Sequence, residues 1–445
     1  MRRPAGADRV AELLSHDDAL VAAEAAALMA WTRWPGAVGY IARGSVVRLQ
    51  QWDRHQEPAE ITDPGRRARL SVSGPVRAQS LYFAQAIDAL VAIGTPEAHA
   101  ELRRMLSIPI AQVREEVAEA VVATASGAAR DATADQLLRS PQLELRRGAA
   151  RALSRCDDPG PVQAIVRALR DADAAVREHA AIALGRSSDP AAVPALLRVA
   201  QGDLRKVAIA SLARLGDPRA KRLLLDALQD PDTAVRTEAV EGLGRIGDAD
   251  AVPALNELAT RARPEMLDEI AVALGRIGDR RAVPTLTEIA ASDRAAAMEA
   301  ALVALGQVGG ERAFETLRAA LRSGASDRVE AAARGLAALG TRAAADELVR
   351  RFVAEPDISI RHEIEQALRQ IGEPAVPGLV EALGHSDRQV AYAAERILVS
   401  IGEPARAELE RAAAGADGRV AELAASALGA IGSRTGGGAA TSEAK

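Results

Sequence analysis

The sequence contains few aromatic residues, little lysine and a single cysteine. Aromatics make up 2 % of the 445 residues and hydrophobic residues 48 %, so the interior must consist mainly of Ala, Leu and Val. Such small residues suit helices that pack close together. Cys156 is the only cysteine, which excludes an intramolecular disulfide and a cysteine-based zinc cluster. Only three residues are Lys; we attribute the resulting excess of Arg to GC-rich coding and infer no function from it.

Long apolar runs and a strong net charge are also missing. No stretch approaches the ~20 apolar residues that span a bilayer, and the segment MRRPAGADRVAELLSHDD lacks the apolar run of a signal peptide. The formal charge of −5 gives no overall attraction to nucleic acid or anionic lipid. The sequence therefore predicts a soluble cytoplasmic protein with no membrane insertion and no nucleic-acid partner.

A repeat is the main feature that is present. Copies such as AVREHAAIALGRSSDPAAVPALL (175–197) and AVRTEAVEGLGRIGDADAVPAL (234–255) recur every 28 to 32 residues. The slot held by Asp in the LGRIGD-type turn falls at Thr95, Ser126, Asp158, Asp189, Asp217, Asp248, Asp279, Gly310, Thr341, Glu373, Glu403 and Ser433. A period of this length built from two short helices predicts an all-α fold, an α-solenoid (right-handed superhelix) of about 12–13 two-helix repeats.

Local chemistry predicts where the helices of a repeat end. Gly247 and Gly278 suit the left-handed position that ends a helix, and Asp217–Pro218 suits an N-cap followed by a first-turn proline. Pro253 lies several residues into the next predicted helix, where a missing donor should bend it. Gly244 lies inside a helix at a cost of about 1 kcal/mol relative to Ala, which close helix–helix approach would offset.

The period divides the chain into three parts. Residues 1–75 form an atypical N-terminal cap with a Trp/Arg cluster, of the kind that covers the exposed end of a solenoid. Residues 76–433 form the repeats. Residues 434–445 (RTGGGAATSEAK) have no apolar face and predict a disordered tail.

A first helix with an internal proline, followed by VR…A…ALG.IGD, resembles the HEAT repeat. The similarity covers roughly residues 76–433 and is to the short bacterial type found in phycobilin lyase subunits, the PBS lyase HEAT-like repeat. The resemblance implies an armadillo-like helical fold. It implies little about activity, because this repeat class serves many unrelated roles.

Two rows of charged residues recur in the second helix of each repeat. One is an arginine ladder, predicted to bond the turns of its own or the next repeat, with a phosphate or carboxylate track as the alternative. It comprises Arg114, Arg146, Arg177, Arg205, Arg236 and Arg361. The next position is acidic in several repeats, including Glu178, Asp268, Glu299 and Glu330. HEAT-type solenoids place the second helix on the concave side, so we expect an acidic groove that binds a basic or amphipathic protein, with a merely solvated helix face as the alternative.

Most aromatic residues cluster near the start of the chain. Trp31, Trp34 and Trp52 lie near several arginines, including Arg33. Large rings beside Arg suit a partner-binding site. The alternative is that an end cap lacks a neighbour and needs bulky residues for a core of its own.

No complete catalytic or metal-binding set is recognisable. Deoxyhypusine hydroxylases hold two irons with His-Glu pairs in four HEAT repeats, whereas His362–Glu363 is the only such pair here. A lone pair cannot build a site of four to six ligands, so we expect no metal and no cofactor. HEAT-like DNA glycosylases combine Trp with Asp on successive repeats, and Trp52–Asp53 alone does not reproduce that arrangement.

The sequence therefore favours a non-catalytic scaffold or adaptor that binds a protein partner along the concave groove. The competing hypothesis is a phycobilin-lyase-like subunit or another protein that handles a chromophore or cofactor. A di-iron hydroxylase-like or DNA-binding HEAT protein has less support from the residues.

Overall fold

The fold consists of α-helices joined by short turns and 3-10 helices. The computed structural model describes residues 7–16, 19–33, 35–55, 74–261, 264–415 and 418–439. Their α-helices are α1 (Ala7–Leu13), α2 (Ala19–Thr32), α3 (Val38–His55), α4 (Gly74–Ile93), α5 (Pro96–Met105), α6 (Ala111–Thr124), α7 (Gly127–Leu138), α8 (Leu143–Arg155), α9 (Val162–Ala168), α10 (Ala174–Leu184), α11 (Ala192–Val199), α12 (Arg205–Leu215), α13 (Lys221–Ala227), α14 (Thr233–Ile246), α15 (Val252–Arg261), α16 (Leu267–Ile277), α17 (Val283–Ala290), α18 (Ala295–Val308), α19 (Glu311–Leu321), α20 (Ser326–Leu339), α21 (Arg342–Ala354), α22 (Ile358–Ile371), α23 (Val376–Ala382), α24 (Arg388–Ile401), α25 (Arg406–Ala413) and α26 (Gly418–Ala439).

These helices form pairs that stack in chain order. Each odd-numbered helix is the first of a pair and contacts the even-numbered helix after it, from α1–α2 to α25–α26. The chain divides into two compact units, unit 1 (Met1–Leu215) and unit 2 (Gly216–Lys445). Within each unit the second helices also contact the second helices of the neighbouring pairs. The predicted all-α solenoid is confirmed, and the described helices supply thirteen pairs.

The turn between repeats has the predicted local chemistry. Gly247 and Gly278 end their helices with φ of 71° and 73°. The residue after each glycine caps the 3-10 helix that opens the next repeat. Asp248 accepts a hydrogen bond from the backbone N–H of Asp250 at 2.9 Å, and Asp279 accepts one from that of Arg281 at 2.8 Å.

The internal proline lies closer to a helix start than predicted. A 3-10 helix (Ala249–Ala251) comes after the cap, and the α-helix starts afresh at Val252. Pro253 is therefore the second residue of α15, where a backbone N–H would have no partner within the helix. The start of the α-helix thus accommodates the proline.

Glycines let the second helices of neighbouring repeats approach closely, as predicted. A Cβ atom added to Gly244 on α14 would lie 2.8 Å from Cα and 2.9 Å from Cβ of Ala273 on α16. One added to Gly275 would lie 2.7 Å from Cβ of Ala304 on α18. One added to Gly306 would overlap the carbonyl oxygen of Gly335 on α20. These approaches bring small side chains to the surface between the second helices.

The two ends of the chain differ in how far the structure describes them. At the start, α2 packs against α4 as successive second helices do elsewhere, so residues 19–32 continue the stack. At the other end α26 extends to Ala439, into the segment predicted as a tail. A helix that is already anchored by packing can lengthen without a new nucleation step, which explains why Gly-rich residues 434–439 continue it. Residues 440–445 lie outside the described part.

No helix among the described residues combines the length and apolar character that crossing a membrane requires.

Candidate partner-binding groove

A groove of about 840 Å³ crosses the second-helix face of unit 2. We define the second-helix face as the surface formed by the even-numbered helices. The groove spans five of them, from α14 to α22. Its lining residues are Glu241, Arg245, Asp268, Glu269, Val272, Ala273, Arg276, Ala296, Glu299, Ala300, Val303, Ala304, Gln307, Arg334, Ala338 and Gln370.

The floor of the groove is made of small apolar side chains. Ala273 and Ala304 lie where Gly244 and Gly275 allow the helices to approach, so little side-chain volume fills the space between them. Val272 stands beside this floor with 38 % of its surface exposed. The groove thus offers an apolar strip that covers parts of α16 and α18.

Two adjacent carboxyl groups lie at one side of this strip. Oδ1 of Asp268 and Oε2 of Glu269 are buried, and neither has a hydrogen-bond partner. Burial raises the pKa of Glu269 to about 7, and the neighbouring carboxyl of Asp268 and the charge of Glu241 act in the same direction. Near neutral pH Glu269 therefore exchanges readily between its neutral and charged forms.

The other charged residues of the groove are mostly paired. Arg245 lies 3.7 Å from Glu241 on α14, and Arg334 on α20 lies 2.6 Å from Glu299 on α18. Arg276 adds a further positive charge on α16. Four carboxyl groups thus face three arginines, so the acidity of the groove is local to Asp268 and Glu269 instead of extending along it.

The predicted acidic residues do not all share this groove. Asp268 and Glu299 line it. Glu330 occupies the same slot on α20 but lies outside the lining and accepts a hydrogen bond from the Ser326 hydroxyl at 3.1 Å. Glu178 is exposed on α10 in unit 1. The structure therefore brings together two of the four.

Sequence reasoning overlooked Glu269, Val272 and Arg276. Successive members of this set are three and four residues apart, which puts them on the same face of α16. The signal was available, because the positions of Val272 and Arg276 also recur with the period, at Val303 and Arg245 respectively. The face therefore combines acidic, apolar and basic residues, whereas each row of the repeat taken alone has one character.

Unit 1 has a smaller groove of about 410 Å³ on its own second-helix face, between α4 and α6. Val91, 39 % exposed, lies there beside Asp88 and Glu116. Burial raises the pKa of both carboxyl groups. The combination of an exposed valine with desolvated carboxyl groups thus occurs in each unit.

The arginine ladder joins turns and repeats. Arg146 donates to the carbonyl oxygens of Ser140 at 3.0 Å and Pro141 at 3.2 Å, and to both carboxyl oxygens of Asp171 in the next repeat at 2.8 and 3.2 Å. Arg114 and Arg177 likewise bond their own turn and an acidic residue of the next repeat.

Two further ladder residues, Arg236 and Arg361, make more local contacts. Arg236 bonds the carbonyl oxygens of Asp230 and Pro231, and Arg361 that of Glu355. Arg205 is the first residue of α12. Where a ladder arginine bonds its own turn, some of its guanidinium N–H groups are already used. A phosphate track would need those donors.

The structure describes only part of the N-terminal cluster. Trp34 and the side chains of Trp31 and Trp52 lie outside the described residues. Arg33 has φ of 48°, and its N–H bonds the carbonyl of Met29 at 3.1 Å. It therefore occupies the left-handed position that glycine holds in later repeats, and its side chain is exposed.

A neighbouring arginine is part of the interior. Arg48 on α3 is fully buried; its guanidinium lies 5.7 Å from the Tyr82 ring centre and donates to the carbonyl oxygen of His16. The Tyr82 hydroxyl donates to the carbonyl oxygen of Ile41 at 3.0 Å. This arginine thus joins α3 to α4 and to the turn after α1, and is inaccessible to a partner.

Within the described residues, no three His, Cys, Asp or Glu side chains are placed to hold a metal ion. His362 is exposed on α22, and one of its ring nitrogens lies 3.2 Å from the Gln366 amide.

Comparison with known proteins identifies the repeat class. Residues 130–205, 200–267 and 256–337 match the family model for HEAT repeats, so this part of the chain consists of HEAT repeats. A comparison with curated protein sequences gives no significant match.

Several solved structures are similar in fold. Importin-β, crystallised in a polyethylene glycol condition, has a TM-score of 0.50 at 13 % identity, covering 96 % of this chain and 69 % of that one. Yeast importin-β (Kap95p) has a TM-score of 0.49 at 13 % identity, covering 96 % and 67 %. The complex of CpcE and CpcF of phycocyanin lyase from Nostoc sp. PCC7120 has a TM-score of 0.30 at 23 % identity, covering 61 % and 94 %. This chain spans about two thirds of the importin-β chains, 66 to 69 %. The similarity to importin-β concerns the fold alone, and the lyase type of repeat stays a prediction.

Proposed function

We propose that the chain is a non-catalytic scaffold that binds a protein partner in the groove on the second-helix face of unit 2. The observation that carries the proposal is the groove itself, which crosses five consecutive second helices and combines an apolar strip with charged borders. Such a surface suits an extended or helical segment of another protein better than a small molecule. Importin-β structures include complexes with other proteins, as the Kap95p–Nup1 complex shows for that protein.

The glycine contacts support the same proposal. They join the second helices of neighbouring repeats within unit 2, from α14 to α20, and so hold the groove residues of successive helices in register. In this proposal the arginine ladder has a structural role and the groove is the partner-binding surface.

A photo-crosslinking residue tests where the partner lies. Tagged protein captures partners from cells of the source organism, mass spectrometry identifies them, and each is then purified for binding in isolation. We replace Val272 with p-benzoylphenylalanine and expect a crosslink to the purified partner.

The matched control is the same replacement at Ala319. It is also exposed and lines a groove of about 500 Å³, but that groove lies on the side formed mainly by the first helices α17 and α19. Crosslinks from Ala319 alone, or from neither position despite binding, would contradict the proposal.

A further inference from the structure

We propose that the Asp268–Glu269 pair binds one basic side chain, lysine or arginine, of a partner segment whose apolar side chains lie on Val272, Ala300 and Val303. This inference rests on the proposed function, since it names the chemistry of the partner that the groove accepts. The occupant is thus a basic amphipathic segment of another protein.

Charge complementarity within the groove favours this occupant. Glu241 and Glu299 are already paired with Arg245 and Arg334, at 3.7 and 2.6 Å. Asp268 and Glu269 instead lie against each other, and each raises the cost of ionising the pair. No ion pair of the described residues involves either carboxyl, so a cation from the partner would supply the counterion that this pair lacks. Lysine and arginine are the side chains that supply several donors together with the opposite charge.

The apolar strip supplies the hydrophobic contacts of the proposed complex. Val272 is one helical turn from Asp268, and Ala300 and Val303 continue the strip on α18. A segment that places a basic side chain on the carboxyl pair therefore lays its next turn on exposed valine. Arg276, eight residues along α16 and ~12 Å from Asp268 at 1.5 Å per residue, then bounds the strip with positive charge. A basic residue is thus disfavoured at that end, which gives the segment a direction.

The groove of unit 1 also places carboxyl groups beside an exposed valine. Asp88 and Glu116 lie beside exposed Val91, and the amide of Gln112 donates to Glu116 at 3.1 Å. The recurrence of carboxyl groups against valine on a second-helix face, in a separate unit, supports a preference for basic amphipathic segments.

Binding should depend on pH, because a basic side chain selects the ionised form of Glu269. The pKa of this carboxyl is raised to about 7, so binding a cation expels a proton and becomes tighter as pH rises from 6 to 8. The charged groups that line the groove around it are Glu241 and Arg245 on α14, Arg276 on α16, Glu299 on α18 and Arg334 on α20. Release of one proton from Glu269 over these two pH units limits the effect to about tenfold.

Synthetic peptides test the inference. The probes are three fluorescent 15-residue amphipathic helices that share one apolar face. They differ at a single position, which is Arg, citrulline or Glu. Arg and citrulline have nearly the same shape but differ in charge. Affinity is measured by anisotropy at pH 6 and pH 8. We expect the Arg peptide to bind about tenfold more tightly than the citrulline peptide at pH 8, and the difference to shrink several-fold at pH 6.

Two variants assign the effect to the carboxyl pair. Asp268→Asn with Glu269→Gln should abolish the preference for Arg and the pH dependence. Glu330→Gln, in the equivalent slot on α20 but outside the groove lining, should leave both unchanged.

Equal binding of the Arg and citrulline peptides would overturn the inference while leaving the groove as a docking site. The inference would also be overturned if none of the three peptides bound while Val272 crosslinked to a natural partner. Absence of that crosslink would instead count against the proposed function.

Discussion

Replacing Gly244 with alanine tests the close packing on which the groove depends. The added Cβ would lie 2.8 Å from Cα and 2.9 Å from Cβ of Ala273. Ordinary carbon–carbon contacts lie near 3.5–4.0 Å, so α14 and α16 would have to separate by roughly 0.8 Å. Because the obstructing atoms belong to the backbone and a β-carbon, no side-chain rotation relieves the overlap.

The free energy of this change has two parts. Overpacking a tight helix interface costs about 1–3 kcal/mol. Replacing glycine by alanine in a helix gains about 1 kcal/mol. We expect Gly244→Ala to lower the free energy of unfolding by about 1 kcal/mol, although alanine is the better helix former.

The matched control is Gly429→Ala. Gly429 lies inside α26 of the same unit, and a Cβ added there meets no atom within 4 Å. This variant should gain the helix propensity alone and become more stable. Denaturant unfolding monitored by helical circular dichroism should separate the two variants by about 2 kcal/mol. Equal stabilisation of both would refute the claim that Gly244 is required for close approach.

Individual side chains give three further predictions. The folded-state pKa of Glu269 is raised from 4.5 to about 7, so this carboxyl contributes stability that is present below about pH 4.5 and lost as pH rises through 7. Glu269→Gln should therefore raise the free energy of unfolding more at pH 8 than at pH 5. The difference should be about 1 kcal/mol in denaturant unfolding, once the roughly 3 kcal/mol of the full shift is reduced for solvent screening; an equal effect at both pH values would contradict this. Arg33→Gly should stabilise the fold by about 1 kcal/mol in thermal unfolding, because it relieves a left-handed conformation with φ of 48°; a loss of stability would show that the arginine side chain matters more. Arg146→Ala should lower the free energy of unfolding by about 2–3 kcal/mol, because it leaves Asp171, whose side chain is 11 % exposed, without its cation. The control is Arg406→Ala, which breaks an exposed ion pair within one helical turn and should change the unfolding midpoint little.

The periodic part of the fold could be predicted because its determinants are local. Gly247 adopts a positive φ and Asp248 caps the next turn through atoms two residues away, so these contacts are encoded within each repeat. The position of Pro253 within its helix was predicted less well. Its missing donor disfavours the helix interior, and the structure places it in the first turn of an α-helix that follows a 3-10 helix.

The candidate site required the tertiary structure. Asp268 and Glu299 were recognised because their slot recurs in sequence, whereas Glu330 in the same slot lies outside the groove. The neighbouring helices bury Glu269 and thereby raise its pKa. The sequence around Glu269 does not reveal this burial.

By itself, then, the sequence determined the helix pairs, their period and the turns that separate them, since each is a property of about thirty consecutive residues. Only the tertiary structure decided which parts of the shared face open into a groove and which charges there remain without a counterion. That outcome depends on the distances between neighbouring second helices, set by pairs such as Gly244 and Ala273, which lie on different repeats.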